Sequence, residues 1–493
     1  MLTGLAIGFM AGQYIYHRWI EEKPHRPRPR SLDIPNVDAG LPVPLIYGRC
    51  RVRNPIPVWC GTPGAVDDYT AVNYPLGSSA YCMNMLFVVG IPFDDGKGET
   101  KLCGMWAGEK KFAGLNPLGA SVETDVISEI SGSFGRDGLV GSRIVYFDGN
   151  SSQDALDPWL DTYITNVTPD TIPGYRGYVT VLLFSNDDTT ADRWLHGASP
   201  TIPAYSFEVF SYRTGGGYPA SYPYERVGDE SNVMNVLYDL LRAKFGKLGY
   251  DSSLIDIASF QAAAATLSSE SHGYSRCIDS AEEADEHVME ILKQIDATLY
   301  EDASDGLIKI KLIRNDYDPN TIPHIHKDNG CELRGFAMGG WTSIVNKVRL
   351  VYTNRERDYQ DDSETAQSPA NAVGQDGQVN EEVISMPGVC TPALAAEMAA
   401  RELAARSRPL MKCTAIVDRS FISVNPGDAV KVTWNKPDIA GIVFRVARVN
   451  RGTLENGAVE LDLIQDYFYV FRGRIPHGSS FGHGSLVDVT LTL

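Results

Sequence analysis

Apolar residues recur along this chain mainly in short runs with a two-residue period, the signature of β-strands half-buried on a sheet. The first ordered run is LPVPLIYGRCRVRNPIPVWCG (41–61), where Ile46, Gly48, Cys50 and Val52 alternate with polar neighbours and prolines mark the edges. Further strands are predicted at MNMLFVVGI (83–91), SRIVYF (142–147), GYVTVLLFS (177–185) and YSFEVFSYR (205–213), separated by Gly-, Asn- and Asp-rich turns. The pattern then changes. SNVMNVLYDLLRAKF (231–245) sets Val233, Leu237, Leu240, Leu241 and Lys244 on one side, an amphipathic helix with Ser231 as its cap. A second helix starts at the capping box Ser280-Ala-Glu-Glu283 and buries Val288, Ile291, Leu292 and Ile295. ATLYEDASDGLIKIKLI (297–313) reads as a hairpin turning at Ser304-Asp305-Gly306. Residues 229–315 therefore form a compact α+β module in the order helix, helix, hairpin.

Strand patterning returns in WTSIVNKVRLVYTN (341–354), TAIVDRS, DAVKVTW, GIVFRVARVN and VELDLIQDYFYVF, with a Pro426-Gly427-Asp428 turn before the third of these. Thr391 and Pro392 open a helix as N-cap and first residue, with Glu397→Arg401 and Glu402→Arg406 as favourable pairs four apart. DDSETAQSPANAVGQDGQVNEE (361–382) is polar enough to be expected as a mobile loop.

The N-terminus has a different character. GLAIGFMAG (4–12) places Gly4, Gly8 and Gly12 at spacing four among apolar residues, the small-xxx-small pattern of close helix packing. No basic region precedes it, as a secretory signal would need. As a helix, residues 2–16 would span only about 22 Å, short of a hydrocarbon core. An assembly helix over about 3–18 is the better reading. Residues 21–40 carry four prolines and the cations Lys23, His25, Arg26, Arg28 and Arg30, and read as an extended linker.

Composition narrows the function. At 493 residues the chain should hold three or four domains. A net charge of −18 argues against a general nucleic-acid binder. The eight cysteines form no CxxC pair, so ligand spacing for zinc is missing. HExxH and Walker patterns are absent. Gly215-Gly216-Gly217 lacks the following Lys-Ser/Thr of a phosphate loop. His324 and His326 share a strand face without a third ligand. Asp187-Asp188 and Asp361-Asp362 lie in polar loops, and His477 and His483 in a Gly/Ser-rich tail. No catalytic residue, metal or cofactor is expected.

At this point the chain resembles the tail hub, or tail tip, proteins of long-tailed bacteriophages and the related baseplate hub of gene transfer agents. The resemblance rests on LPVPLIYGRCRV (41–52), on RIVYFDGNSSQDALDPWL with IPGYRGYVTVLLFS, where Tyr175-Arg176-Gly177 matches a recurrent segment, and on IPAYSFEVFSYR (202–213). The α+β module and the helix–strand–PGD–strand series follow in the family's order, so the likeness spans about 41–470.

The resemblance implies a mainly β, multidomain hub with α+β parts and two tube-like β-barrel domains. The first barrel would be 41–95 with 171–228, an inserted β-rich domain 96–170, the α+β domain 229–330, and the second barrel 331–470. The N-terminal helix (1–20), the linker (21–40) and a tail (471–493) complete the division. It further implies a homotrimer that closes the tail tube, adapts six-fold to three-fold symmetry and passes DNA without binding it specifically. Expected partners are the distal tail protein, the tape measure protein and other tail tip or central fibre proteins; the apolar, glycine-spaced composition of the N-terminal segment, rather than the resemblance, adds host membrane contact. Stopping at Leu493, the chain shows neither the long receptor-binding regions nor the glycosidase-like barrel of some relatives. The alternative from another class is an envelope-anchored enzyme or carbohydrate-binding protein tethered by residues 2–20.

Overall fold

The computed structural model describes residues 42–61, 64–66, 80–92, 99–112, 118–119, 126–133, 139–149, 153, 173–184, 194–197, 201–212, 226–242, 248–279, 284–329, 332–340, 344–375, 377–435, 439–452 and 457–469. Gly4, Gly8, Gly12, the linker, the tail with His477 and His483, Cys331, Asp187-Asp188, the triple glycine at 215–217 and the capping box at 280–283 lie outside the described residues. Among the described residues the protein is mainly β, as its alternating patterns predict.

The first sheet has β1 (Leu45–Val52), β2 (Met85–Pro92), β3 (Glu99–Ala107), β4 (Leu139–Phe147), β5 (Val179–Phe184) and β6 (Tyr205–Tyr212) in the spatial order β4-β5-β2-β1-β6-β3, with further strands beside them, among them Val126–Ser133 paired along β4. β1 divides its pairing. Leu45 and Ile46 run parallel to β2, whereas Gly48–Val52 pair antiparallel with β6. The change falls at Gly48, which has φ +66°. The sheet closes over Ile46, Val52, Met105, Tyr146, Val181, Trp194 and Phe207, all at most 1% exposed. β3 and β4 lie in the stretch 96–170 expected as an insertion, yet both are members of this sheet. Their partners, β6 and β5, are over 30 residues away in sequence, so pattern alone could not assign them.

The α+β unit follows. Helix α1 (Val233–Leu241) is capped by the buried Asn232, whose side chain accepts from Met234 N; the predicted cap, Ser231, sits instead in a short strand. A helix absent from the sequence reading, α2 (Ile257–Ser269), comes next. Its buried residues, Phe260, Ala263, Ala264 and Leu267, are spaced for a helix, but alanines make the stripe faint. Strand β7 (Arg276–Ile278) returns to pair with the start of β1. Helix α3 (Ala284–Ile295) buries the predicted Val288, Ile291, Leu292 and Ile295. The hairpin β8 (Ala297–Glu301) and β9 (Ile308–Leu312) turns where expected, with Gly306 at φ +72° and Asp302 and Asp305 accepting from Ser304 N and Leu307 N.

The second sheet is built from β10 (His324–His326), β11 (Glu332–Met338), and four later strands: β15 (Met411–Val417), β16 (Ala429–Trp434), β17 (Ile439–Asn450) and β18 (Val459–Gln465). The order is β10-β16-β17-β18-β15-β11. Its two edge strands are joined by only five residues. A flat six-stranded sheet is about 24 Å wide, while such a link reaches at most about 20 Å, so the sheet must curl. Phe444, Val430, Val459 and Leu461 fill its interior.

Residues 347–406 form a separate layer. β12 (Lys347–Asn354) pairs antiparallel with β13 (Gln360–Gln367) and parallel with β14 (Glu381–Ser385), and α4 (Pro392–Arg406) covers one face through Leu394, Ala395, Met398 and Ala399. The mobile loop expected over 361–382 is thus corrected. Its first part is a strand hydrogen-bonded along all of β12, and the polar composition reflects a solvated outer face. The helix begins at Pro392 behind Thr391 as expected, and Glu402 pairs with Arg406. Arg401 instead reaches Asp296 at 2.8 Å and the carbonyl of Gln294, so the predicted Glu397 pair is replaced by a contact to α3.

Candidate functional site

No arrangement of nucleophile, base and oxyanion donor stands out among the described residues, and none of them forms a group of three His, Cys, Asp or Glu able to hold a metal. The seven described cysteines are free thiols. His324 and His326 sit with rings 5.0 Å apart, His324 on Thr433 Oγ1 at 2.8 Å and His326 3.8 Å from Asp328. What the fold does build is a polar junction where the first sheet, the α+β unit and the 347–406 layer meet.

The junction grows from one strand. Arg49 and Arg51 on β1, and Arg53 just beyond it, lie at alternating positions and so leave the strand on one side. Arg49 Nε donates to Glu208 Oε1 at 2.7 Å, and its Nη1 to Asp229 at 2.7 Å. Arg51 lies 4.3 Å over the Trp106 ring and donates to Ser206 Oγ and to the carbonyls of Gly108 and Asp358. Arg53 donates to the carbonyl of Tyr359 at 2.7 Å. Arg51 and Arg53 receive one corner of the 347–406 layer directly, and Arg49 acts through Glu208, which also accepts from Tyr359.

That corner is strained. Asn354 caps a short 3₁₀ turn at Arg355–Arg357 by accepting from Glu356 N. Asp358 and Tyr359 then take successive left-handed conformations, φ +54° and +62°. Such a pair costs about 1–3 kcal/mol per residue and persists only where surroundings impose it. Here Tyr359 Oη donates to Glu208 Oε1 at 2.8 Å, and Arg355 donates to Glu230 at 2.9 Å. Burial raises the Glu230 carboxyl above its usual range, with Arg355 pulling the other way. Burial also lifts the Tyr359 phenol well above its usual range, so it stays a donor. Ser275 completes the seam, since its amide donates to Gly388 O and its hydroxyl accepts from Arg49 N. Beside the corner lies a cleft of about 470 Å³ lined by Arg51, Arg53, Arg276, Asp279, Tyr359 and Asp361 among others.

A second set of ion pairs fastens the α+β unit to the second sheet. Arg445 donates to the fully buried Asp466 at 2.9 Å, to Gly427 O and to Arg314 O, and lies 4.8 Å over Tyr317. Lys311 on β9 pairs with Asp428 in the Pro-Gly-Asp turn, where Gly427 has φ +85°. Arg314 pairs with Glu270 at 2.6 Å. Lys311–Asp428 and the bond from Arg445 to the Arg314 carbonyl cross between the units, while the Asp466 and Glu270 pairs brace each side.

Sequence reasoning missed the junction. The signal was present in Arg49-x-Arg51-x-Arg53, an alternating basic face opposite an apolar one. Of the segments carrying the family resemblance, Tyr175-Arg176-Gly177 forms a tight turn. Tyr175 has φ +45°, Gly177 N donates to Gly149 O at 2.7 Å, and Arg176 holds Gln153 O.

Two buried histidines give the fold an acid limit. Burial lowers His196 to about 4, and burial with Arg401 and Arg314 lowers His272 to about 3. Both are neutral when folded but bind protons near 6.5 when unfolded. Between those values the unfolded chain holds more protons, so stability rises with pH and is lost as pH falls below about 6.5. Each histidine should contribute a slope of at most about 1.4 kcal/mol per pH unit. Urea unfolding between pH 4.5 and 7.5 measures it; a flat profile would contradict this account.

The fold is mainly β, in several units with ion pairs and hydrogen bonds at their junctions. Residues 324–449 match the family described as "Putative phage tail protein". The whole fold is similar to a chain of the "Virion of native gene transfer agent (GTA) particle", at 14% identity and TM-score 0.54, covering 96% of this chain and 98% of that one. Weaker likenesses are to the tail protein from Neisseria meningitidis MC58 (10% identity, TM-score 0.32, covering 85% and 97%) and to the 43 kDa tail protein of prophage MuSo2 from Shewanella oneidensis (12%, 0.29, 75% and 99%). No curated protein matches the chain by sequence. The family match falls on the second sheet and the layer inserted there, and the likeness to the virion chain is one of fold.

Proposed function

We propose that this protein is the hub at the distal end of a phage tail, three copies forming a ring that continues and closes the tail tube. The first sheet and the curled second sheet serve as its two tube-like domains, so three chains present six. That count lets a six-fold tube meet a three-fold tip. The observation that carries the reading is the pair of β units joined through an α+β unit by polar contacts such as Arg49–Asp229 and Lys311–Asp428, which would hold two tube segments at a fixed spacing. The role is structural, without catalysis. Contacts run to the distal tail protein, the tape measure protein and tip or fibre proteins. A net charge of −18 suits a lumen through which DNA slides without sticking.

Mass measurement of the purified protein tests the stoichiometry. A species of three 54.0 kDa chains is expected, alone or with a tube protein; a chain monomeric in both conditions overturns the reading. The glycine segment is assigned to assembly in the same scheme, its helix packing on symmetry mates or on another tail protein, with the host membrane as a later contact. Leu at Gly4, Gly8 and Gly12 together should cut the yield of infectious particles at least about tenfold, a loss of about 1.4 kcal/mol or more in assembly. The 41–470 region should stay folded, as judged by its melting temperature. Normal titres from the triple variant would sink the assignment.

A further inference from the structure

Strand β13 pairs with β12 along its whole length and with no other strand among the described residues. The odd residues of β12 turn toward β14 and the chain flanking it: Lys347 N donates to Asn380 O, Thr353 N to Val389 O, and Val351 O accepts from Met386 N. Its even residues therefore bond β13, where they stand opposite the even positions, Asp362 and Glu364 among them. The odd positions of β13, Asp361, Ser363, Thr365 and Gln367, turn their amides and carbonyls to an open edge. In agreement, Ser363 N donates to Asp362 Oδ1 instead of into the ladder. The edge is acidic, with Asp361, Asp362 and Glu364 and no cation on the strand. Asp362 meets Arg357 at 3.2 Å, while Asp361 and Glu364 have no ion-pair partner among the described residues. Such an edge repels a second copy of itself and suits a basic strand. The linker holds a matching sequence: Arg26-Pro27-Arg28-Pro29-Arg30 alternates cation and proline. Proline fits a strand only where no N–H is needed, so in an added strand the prolines face outward and the arginines bond inward. A residue before proline also favours the extended conformation.

We propose that residues 26–30 of the same chain add to the open edge of β13 as a parallel strand, with Arg26 beside Asp362 and Arg28 beside Glu364. In a parallel pair, a residue that bonds its neighbour stands opposite one that does not. The inward-bonding arginines thus stand opposite the even positions of β13. Antiparallel pairing would set them opposite the odd positions, where Asp361 is the one charge. In the parallel register every backbone bond to β13 falls on an arginine. The arginine amides donate in turn to the carbonyls of Asp361, Ser363 and Thr365, and the arginine carbonyls accept from the amides of Ser363, Thr365 and Gln367. Ser363 N exchanges Asp362 Oδ1 for the Arg26 carbonyl. Reach permits this within one chain. Fifteen residues on from Arg30 the chain enters β1, a reach of about 50 Å, whereas β1 is only about 26 Å long and leads to Arg53, which holds the Tyr359 carbonyl at the start of β13. The added strand tethers the N-terminal segment beside the arginine corner.

The pairing stands on the edge and its charges and not on the hub reading, since a chain that never trimerises would still form it. Hydrogen exchange of the full chain, read by mass on peptides covering 360–367, tests it. The amides of Ser363, Thr365 and Gln367 should exchange at least about tenfold more slowly in the wild type than in Arg26→Glu/Arg28→Glu/Arg30→Glu. Glu364→Arg should lose the same protection, and Glu364→Arg combined with Arg28→Glu should regain it, which a general loss of surface charge would not produce. Equal exchange in the wild type and the triple variant would overturn the proposal, and so would a charge swap that restores nothing. The triple substitution touches no described residue, so it decides the matter even if Glu364→Arg fails to fold. Arg28→Lys treated with a carbodiimide separates one chain from two. An amide between the new lysine and Glu364, formed with loss of water, is expected in a species of single-chain mass on a denaturing gel. Cross-links found only in two-chain species would assign the strand to a second copy and overturn the pairing within one chain.

Discussion

Glu208→Ala is expected to destabilise the chain by about 3–5 kcal/mol, read as a lower urea midpoint at unchanged slope. Glu208 is 1% exposed and anchors the junction from β6. It accepts from Arg49 at 2.7 Å and from Tyr359 Oη at 2.8 Å, with Lys111 Nζ 3.6 Å away. Truncation leaves Arg49 without its buried carboxylate and Tyr359 without the acceptor that holds a strained corner. Arg49 keeps Asp229 and some water, which places the cost toward the lower end of the range. Glu208→Gln keeps an acceptor for Tyr359 but loses the charge, and should cost about 1–3 kcal/mol. A change below about 1 kcal/mol for the alanine variant would show that the corner is held by something other than this carboxylate.

Gly48→Val should be worse, at about 4 kcal/mol or more, and the chain should collect in the insoluble fraction. Gly48 has φ +66°, a conformation that a β-branched residue adopts at high cost. A Cβ there would also drive into the Ser275 hydroxyl and the Tyr274 carbonyl. Neither can retreat, because Ser275 is tied to Gly388 and Tyr274 is fully buried. Gly48→Ala meets the same two atoms and should cost about 2–4 kcal/mol, measurable by thermal melting. A soluble, wild-type-like valine variant would mean that β1 does not turn at this residue.

Both positions lie in a stretch whose strand character was plain from its alternation. Its apolar set, Ile46, Cys50 and Val52, is buried as the pattern implies. What alternation could not supply was partnership. β1 pairs with β6 some 155 residues later and with β7 more than 220 residues later, and no local signal encodes such distances. The polar run at 360–367 failed for a different reason. Its order comes from backbone bonds to β12, to which side-chain hydropathy is blind. The helix at 257–269 was hidden because alanine fills its buried face. The junction was half legible: three arginines two apart announced a polar face, but the corner they grip is set by left-handed residues, Asp358 and Tyr359, inside a hydrophilic stretch. The glycine stripe at 4–12 was the most conspicuous feature of the sequence, and its role is argued from composition alone.

The hub assignment is tested most directly by a reconstruction of the intact tail at its distal end. Three copies of this chain are expected around the axis, with the 45–212 and 324–465 β units alternating in a ring of six against the last tube ring. Density that places the chain elsewhere on the particle, or in a ring of any other copy number, would contradict the account.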